Sequence, residues 1–174
     1  MLDRRCISLT QVELPISTRV RVIAILNQTL ATIADLKAQI KSACWNVTGI
    51  NAMGLQEIFT QMADQLEEYM DIFAGRITHL GGLASVTVRV AAELSMLPEY
   101  PYGIVGEREN IAAVTQRLKL CTHLLQQKAL QISQWEDWET SELYVEVAQI
   151  LKQRLWLLQA HLQVAFSKGA ESRE

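Results

Sequence analysis

Four acidic side chains lie close together in a segment whose apolar period predicts one long helix. Asp64, Glu67, Glu68 and Asp71 follow one another at steps of one or three residues, which places them on one side of that helix. Carboxylate oxygens suit hard divalent cations, so the cluster is a candidate cation site. A row of helical acids more often simply faces water. The residues alone leave both interpretations open.

A second acidic group follows the third long apolar run. The stretch WEDWETSE, residues 135–142, contains Glu136, Asp137, Glu139 and Glu142. Acids are favoured at a helix N-terminus because they offset the helix dipole. A channel lined by one sign of charge would instead concentrate cations. We give the two interpretations equal weight.

The thiols do not form a disulfide framework. Cys6, Cys44 and Cys121 are an odd number in a chain with only 8 Gly and 3 Pro. This composition is unlike that of a disulfide-rich secreted module and predicts a reducing, cytoplasmic setting. Cys44 and Cys121 fall on apolar stripes, where a packed free thiol is commoner than a metal ligand or redox sensor.

Four long amphipathic helices must position these groups. Apolar residues recur at steps of three and four in four segments, without competing strand alternation. The segments are residues 17–47, 55–80, 111–135 and 143–165. Ser17 or Thr18 is the predicted N-cap of the first helix.

A long crossover separates the two helix pairs. Residues 81–106 exceed an ordinary connection and contain Pro98 and Pro101. Within them a short helix is predicted, with one side formed by Val90, Ala91, Leu94 and Leu97. Short links within each pair and one long crossover between pairs predict an all-α, ferritin-like four-helix bundle.

Length and charge limit the class of protein further. The 174 residues, 49% of them hydrophobic, can form one domain, which we assign to residues 17–167, with tails at 1–16 and 168–174. The opening residues lack the apolar stretch of a signal peptide, and no run of about 20 apolar residues predicts a membrane helix. The net charge of −3 does not indicate a strongly basic nucleic-acid binder. We therefore expect a soluble, cytoplasmic protein.

The outer face of the second predicted helix carries its own signal. Gln56, Thr60, Glu67, Asp71 and Gly75 fall within an arc of roughly 100°. The arc lies about opposite the apolar stripe and so points out of the bundle. It is either a solvated face or the surface on which a second subunit packs.

Residues 41–83 carry a specific family pattern. Trp45-Asn46, Gly49, Asn51 and Leu80-Gly81-Gly82 stand where the Dps miniferritins, the DNA-protection-during-starvation family, have the same residues. The resemblance extends from about Pro15 to Gln163. It implies a hollow shell of twelve subunits that stores iron and protects DNA from oxidative damage, with Fe(II) oxidised, often by hydrogen peroxide, between two subunits.

The resemblance also implies which positions should hold iron. The family's first His, second His and early Asp correspond to Cys44, Gln56 and Thr60, and its later Asp and Glu correspond to Asp71 and Gly75. Only Asp71 is retained as a metal ligand. Amide and hydroxyl oxygens bind Fe(II) weakly, and Gly offers no side chain. We therefore expect ferroxidase activity to be weak or absent, and Asp71 to be the interface partner of a cation such as Arg76 of some chain.

The resemblance bears on ligands and partners as well. In the family the region of Glu136, Asp137, Glu139 and Glu142 lines cation pores. Iron is the candidate ligand, and no organic cofactor is indicated. Twelve chains of −3 would carry about −36 formal charges, which predicts weak or absent DNA binding. The alternative to a storage cage is a non-enzymatic subunit that co-assembles with an active Dps paralogue.

Overall fold

The structure is a computed structural model that describes residues 12–171, with side-chain surroundings as far as residue 161. This described part contains five helices and no β-strand. They are α1 (Ile16–Asn46), α2 (Ala52–His79), α3 (Val88–Leu94), α4 (Glu107–Ser133) and α5 (Trp138–Glu171). The predicted all-α four-helix bundle, with one long crossover and a short helix, is confirmed.

The bundle is built from two helix hairpins. α1 packs along α2, and α4 packs along α5, while α1 also contacts α4 and α2 contacts α5. The apolar stripes meet in one core, where Phe73 and Tyr144 pack edge to face with ring centroids 5.1 Å apart. The buried Tyr144 hydroxyl lies 2.7 Å from Thr29 Oγ1, which satisfies its polar group inside the core.

The helix ends differ from the sequence-based expectation at two places. Pro15, rather than Ser17 or Thr18, is the N-cap of α1, and its carbonyl oxygen accepts the Thr18 amide at 2.9 Å. α5 continues through Glu171, so it includes residues 168–171 that we had assigned to the tail. Tail residues 1–11 and 172–174 lie outside the described residues.

The crossover is held to the bundle by hydrogen bonds. Thr87 Oγ1 accepts the Val90 amide at 3.3 Å and so caps α3. Ser95 Oγ donates to Asp35 Oδ2 at 2.5 Å, and Gln39 Nε2 donates to the Pro98 carbonyl at 3.0 Å. On the predicted apolar side of α3, Val90, Ala91 and Leu97 are half-buried and Leu94 is exposed. This arrangement leaves the crossover available to further contacts.

The α1–α2 loop is anchored to the start of α4. The Thr48 amide donates to the Val105 carbonyl at 2.8 Å, and the Asn51 amide donates to Glu107 Oε1 at 2.6 Å. Gly49 adopts φ +146°, and a Cβ there would collide with the Glu107 carboxylate. A residue with a side chain would therefore be strained at Gly49. The anchored loop therefore fixes the position of the end of α1 relative to the start of α2.

Among the helices that the structure describes, none has the length and apolar content needed to cross a membrane.

Candidate functional site

An open pocket of about 690 Å³ lies between the end of α1 and the first turns of α2. α1 contributes Lys41, Cys44 and Trp45, and α2 contributes Gln56, Glu57, Thr60 and Gln61. The pocket thus contains three of the five positions that the sequence analysis singled out. The sequence analysis did not place Lys41, Glu57 or Gln61 in this pocket. Residues that line a pocket between two helices follow no period along the sequence.

Cys44 bridges the two helices at the floor of this pocket. Its thiol donates to the Gln56 carbonyl oxygen at 3.5 Å, and its sulfur lies 3.4 Å from Thr60 Oγ1. Gln56 and Thr60 are four residues apart, so they sit one above the other on the face of α2 that meets α1 at this end. The Cys44 side chain is 7% exposed and forms no disulfide. The thiol therefore packs and hydrogen-bonds, as its place on the apolar stripe predicted.

Asp71 and Gly75 lie on the same helix but far from the pocket. At 1.5 Å per residue, Thr60 and Asp71 are separated by roughly 16 Å along α2. Asp71 is exposed, and a Cβ built on Gly75 would meet nothing within 4 Å. A single chain therefore cannot bring all five positions together. Only a second copy could place its Asp71 and Gly75 beside this pocket.

The donors in the pocket do not fit a ferrous ion. A buried thiol, an amide side chain and a hydroxyl replace the imidazole and carboxylate groups that would offset the loss of water from Fe(II). Glu57 is the one carboxylate among the lining residues. No three His, Cys, Asp or Glu side chains in the described part of the chain lie close enough to hold a metal ion. Asp64, Glu67, Glu68 and Asp71 therefore do not converge on one cation within the described part of a single chain, which favours the solvated face of the two interpretations left open.

Salt bridges explain part of that acidic cluster. Glu67 Oε1 lies 2.9 Å from Lys37 Nζ, so this acid links α2 to α1 at the surface. Such exposed pairs add at most about 1 kcal/mol to stability. The Lys37–Glu67 bridge nevertheless gives Glu67 a local role without a metal ion.

Arg76 has buried partners within its own chain. Its guanidinium is buried and donates to Asp137 Oδ1 at 2.8 Å and to Thr140 Oγ1 at 2.7 Å. It also lies 2.6 Å from Glu139 Oε2. Arg76 therefore joins the end of α2 to the start of α5, and pairing of Asp71 with a cation across an interface stays a prediction.

Asp137 is a helix cap rather than a pore residue. It precedes α5, and its carboxylate accepts the Thr140 amide at 3.1 Å and the Thr140 hydroxyl at 2.6 Å. Only 2% of Asp137 is exposed, so of the two interpretations left open for this residue the helix N-terminus holds and the pore does not. Glu136, Glu139 and Glu142 are exposed, and a pore lined by them stays a prediction.

Cys121 is chemically quiet. It is 1% exposed in the core of the bundle, and burial raises the pKa of its thiol to about 12. Since the thiolate is the reactive form, Cys121 is inert at neutral pH. Burial also raises the pKa of Tyr144, whose hydroxyl bonds to Thr29. Neither group provides an acid, a base or a nucleophile for catalysis.

Comparisons with known proteins agree with this bundle. Residues 23–165 match the ferritin family, described as a ferritin-like domain. A DNA protection during starvation protein of Agrobacterium fabrum is 27% identical over 154 residues, which are 88% of this chain and 95% of the relative. DNA protection during starvation protein 2 of Bacillus anthracis is 28% identical over 143 residues, or 82% and 97%.

Solved structures show the same fold. DpsC from Streptomyces coelicolor superimposes with a TM-score of 0.85 at 23% identity, covering 93% of this chain and 95% of that one. Mycobacterium smegmatis Dps gives a TM-score of 0.84 at 23% identity, covering 89% and 88%. These likenesses show the shared fold, and the match to the ferritin family supports iron binding in general. The chain belongs to the ferritin family, and its relatives and fold identify it as a Dps-type member.

Proposed function

We propose that this chain is the subunit of a cytoplasmic miniferritin cage that stores iron and protects the cell against oxidative stress, without a rapid ferroxidase centre. The Dps-type bundle supports the cage and its protective role. The absence of a rapid ferroxidase centre is supported by one contact. Cys44 Sγ and Thr60 Oγ1 lie 3.4 Å apart at two positions where iron ligands are expected. Two ligand positions are thus occupied by a thiol and a hydroxyl that bond to each other.

The loss of ligands affects both sides of the proposed two-subunit site. One chain would supply Cys44, Gln56 and Thr60, and its neighbour would supply Asp71 and Gly75. A site with one anionic ligand from the five positions cannot hold two iron ions tightly. Iron would instead enter the cage and oxidise slowly on its inner surface, where mineral growth requires no dedicated centre.

The proposed assembly is a closed dodecamer. α2, α3 and the segment between them expose apolar side chains, and Ile72, Leu83 and Val88 are 48%, 64% and 88% exposed. Exposed apolar groups of this kind mark contacts between proteins. Light scattering should give a mass of about twelve times the 19.6 kDa chain. Monomers or isolated dimers at micromolar concentration would contradict the cage.

Storage and oxidation can be tested separately. Purified cages should accumulate iron over hours in air, measured as iron atoms per cage after removal of free iron. The control is an equal mass of a monomeric protein under the same conditions. A cage that gains no more iron than this control would reject the storage role. We expect DNA to be protected mainly through removal of iron, because a cage of about −36 formal charges repels the phosphate backbone.

A second candidate is a non-enzymatic subunit that co-assembles with an active Dps paralogue. Gly75 is exposed on α2 and offers no side chain, so an active paralogue would have to supply the missing ligand from its own chain. Cages purified from the native cell would then contain two kinds of subunit. A homogeneous native cage would reject this candidate and leave the storage cage in place.

A further inference from the structure

A surface trough of about 490 Å³ lies between α4 and α5. It is lined by residues drawn from 123–130 of α4 and from 145–152 of α5. The two helices pack as a hairpin with a short turn between them, so the start of one lining segment lies opposite the end of the other. At 1.5 Å per residue, each lining segment is roughly 10 Å long. We call this feature the α4–α5 trough.

The two ends of the α4–α5 trough differ in chemistry. Leu130 and Val145 lie at one end, and they are 69% and 45% exposed. His123 and Lys152 lie at the other end, and both are exposed. Glutamine and alanine side chains line the trough between them. The trough is therefore apolar at one end and cationic at the other.

No acid of either helix lies near the cationic end. Residues 110–135 and 147–170 contain no Asp or Glu, so neither His123 nor Lys152 has an acid within one turn of its own helix. Lys119 precedes His123 by one turn on the same face of α4 and is exposed. This end of the trough can therefore attract an anion without competition from acids on α4 or α5.

The nearest acids of α5 lie towards the apolar end. Glu142 precedes Val145 by three residues and is exposed on the same face of the helix. Burial and the charge of Glu146 raise the pKa of Tyr69 on α2, so Glu146 lies on the side of α5 that faces α2. An anion in the trough is therefore drawn to the cationic end and repelled from the apolar end.

A buried hydroxyl beside the cationic end has no partner. Thr122 precedes His123 and is 5% exposed, and its Oγ1 forms no hydrogen bond within the described part of the chain. Thr122 lies seven residues before Ala129, which lines the trough, so the two share one stripe of α4. Buried polar groups without a partner are rare because they cost free energy. An anionic oxygen at this end would give the Thr122 hydroxyl an acceptor.

We propose that the α4–α5 trough binds an amphipathic carboxylate, such as a free medium-chain fatty acid. The carboxylate pairs with Lys152 and accepts a hydrogen bond from Thr122, and the alkyl chain runs along the trough to Leu130 and Val145. An inorganic anion would leave the apolar end uncovered, and a neutral hydrocarbon would leave the cationic end without a partner. The proposal depends neither on iron storage nor on a closed cage.

Calorimetric titration of the native, assembled protein tests both ends of the ligand. The probe is octanoate, whose extended chain is about as long as the trough, and it should bind at one molecule per chain. Octylammonium carries the opposite charge and acetate lacks the chain. Each should bind at least about 10-fold more weakly than octanoate, because each satisfies only one end of the trough.

Three variants test the orientation of the ligand. Lys152→Glu should weaken octanoate binding by about 10-fold or more, since it replaces the paired cation with an acid. Thr122→Val keeps the shape of the side chain and should weaken binding by about 3- to 10-fold through loss of one hydrogen bond. Leu130→Gln should weaken it by about 10-fold through loss of apolar contact. Arg89→Ala is the matched control, because Arg89 is an exposed cation on α3, and it should bind octanoate like the native protein.

Several results would overturn this site. Equal binding of octanoate and octylammonium to the native protein would do so, and this comparison requires no variant. Unchanged octanoate affinity in Lys152→Glu or Thr122→Val, with native helix content by circular dichroism, would also overturn it. Binding to dissociated chains alone would show that a neighbouring copy covers the trough, which is again contrary to the proposal. A native protein that binds octanoate but stores no iron would reject the storage role and leave this site in place.

Discussion

Arg76 Nη2 lies 2.8 Å from Asp137 Oδ1, and both side chains are buried where the end of α2 meets the start of α5. Asp137 also caps α5 through Thr140, so one carboxylate joins two helices and begins one of them. A buried ion pair is costly to break, because the remaining charge is left without a partner. The junction between α2 and α5 depends on this pair.

We expect Asp137→Ala to lower the free energy of unfolding by about 3 kcal/mol or more, through loss of the buried partner and of the helix cap. Urea unfolding at a fixed protein concentration measures the change. Glu146→Ala, an exposed acid on the same helix, is the matched control and should change stability by less than about 0.5 kcal/mol. Similar values for the two variants would show that Asp137 carries no such structural role.

Glycine positions offer a second pair of variants. Gly49→Ala should destabilise the protein by about 1–3 kcal/mol, since φ is +146° and the new Cβ would meet the Glu107 carboxylate. Gly54→Ala should stabilise it by about 0.5–1 kcal/mol, because Gly54 is in α2 and a Cβ there meets nothing within 4 Å. Thermal unfolding distinguishes the opposite signs. Equal shifts in the melting temperature of the two variants would mean that a side chain at Gly49 does not strain the α1–α2 loop.

Cys121 should make stability depend on pH in the alkaline range. Its pKa is about 12 in the folded chain against 9.0 for a free thiol. The folded state therefore holds its proton where the unfolded state loses it, so this contribution is complete below pH 9 and is lost between pH 9 and 12. Cys121→Ala should show a smaller fall in the free energy of unfolding across this window. An unchanged slope would contradict the assigned burial effect.

The absolute stability of Cys121→Ala is not the readout, because the cavity it creates lowers stability at every pH. Buried tyrosines add to the alkaline fall in both proteins, since burial also raises the pKa of Tyr100 to about 12. Both the cavity and the tyrosines drop out when the slope of unfolding free energy against pH is compared between the native protein and Cys121→Ala.

The sequence predicted the helices well because their apolar residues repeat locally, at a spacing set by the helix itself. It did not predict the Arg76–Asp137 pair, whose members are 61 residues apart and follow no shared period. It also placed the first cap at Ser17 or Thr18, whereas Pro15 precedes the helix and fixes its start. Local preference for a capping hydroxyl was outweighed there by the rigid backbone of proline.

The candidate site was predicted in a different way. No spacing rule joins Cys44 to Thr60 across the α1–α2 loop, and only the family resemblance suggested that the two would meet. The structure brings them within 3.4 Å of each other. The chemistry of the donors could be assessed from residue type alone. The position of Asp71 relative to this pocket depends on a second copy, which one chain cannot specify.

Restoring the ligands tests whether their loss is local. We expect the fourfold variant Cys44→His, Gln56→His, Thr60→Asp and Gly75→Glu to regain peroxide-driven Fe(II) oxidation, with Asp71 already in place. Gly75→Glu has free space and removes a helical glycine. Cys44→His carries the largest risk, since overpacking a buried position costs about 1–3 kcal/mol.

The matched control for this experiment is the fourfold variant with Asp71→Asn added, which should lose most of the regained rate. Light scattering must first show that every variant is assembled like the native protein. An intact fourfold cage without any gain in rate would reject a purely local loss. It would favour the subunit that co-assembles with an active paralogue.

The most direct measurement is the rate of Fe(II) oxidation by the native cage, with Fe(II) added anaerobically, peroxide added next and the ferric absorbance recorded. A protein-free sample at the same pH and iron concentration is the reference. Because Cys44, Gln56, Thr60 and Gly75 provide no strong ligand, the native cage should oxidise Fe(II) little faster than this reference. A fast phase that saturates at a fixed number of iron ions per subunit would contradict the account.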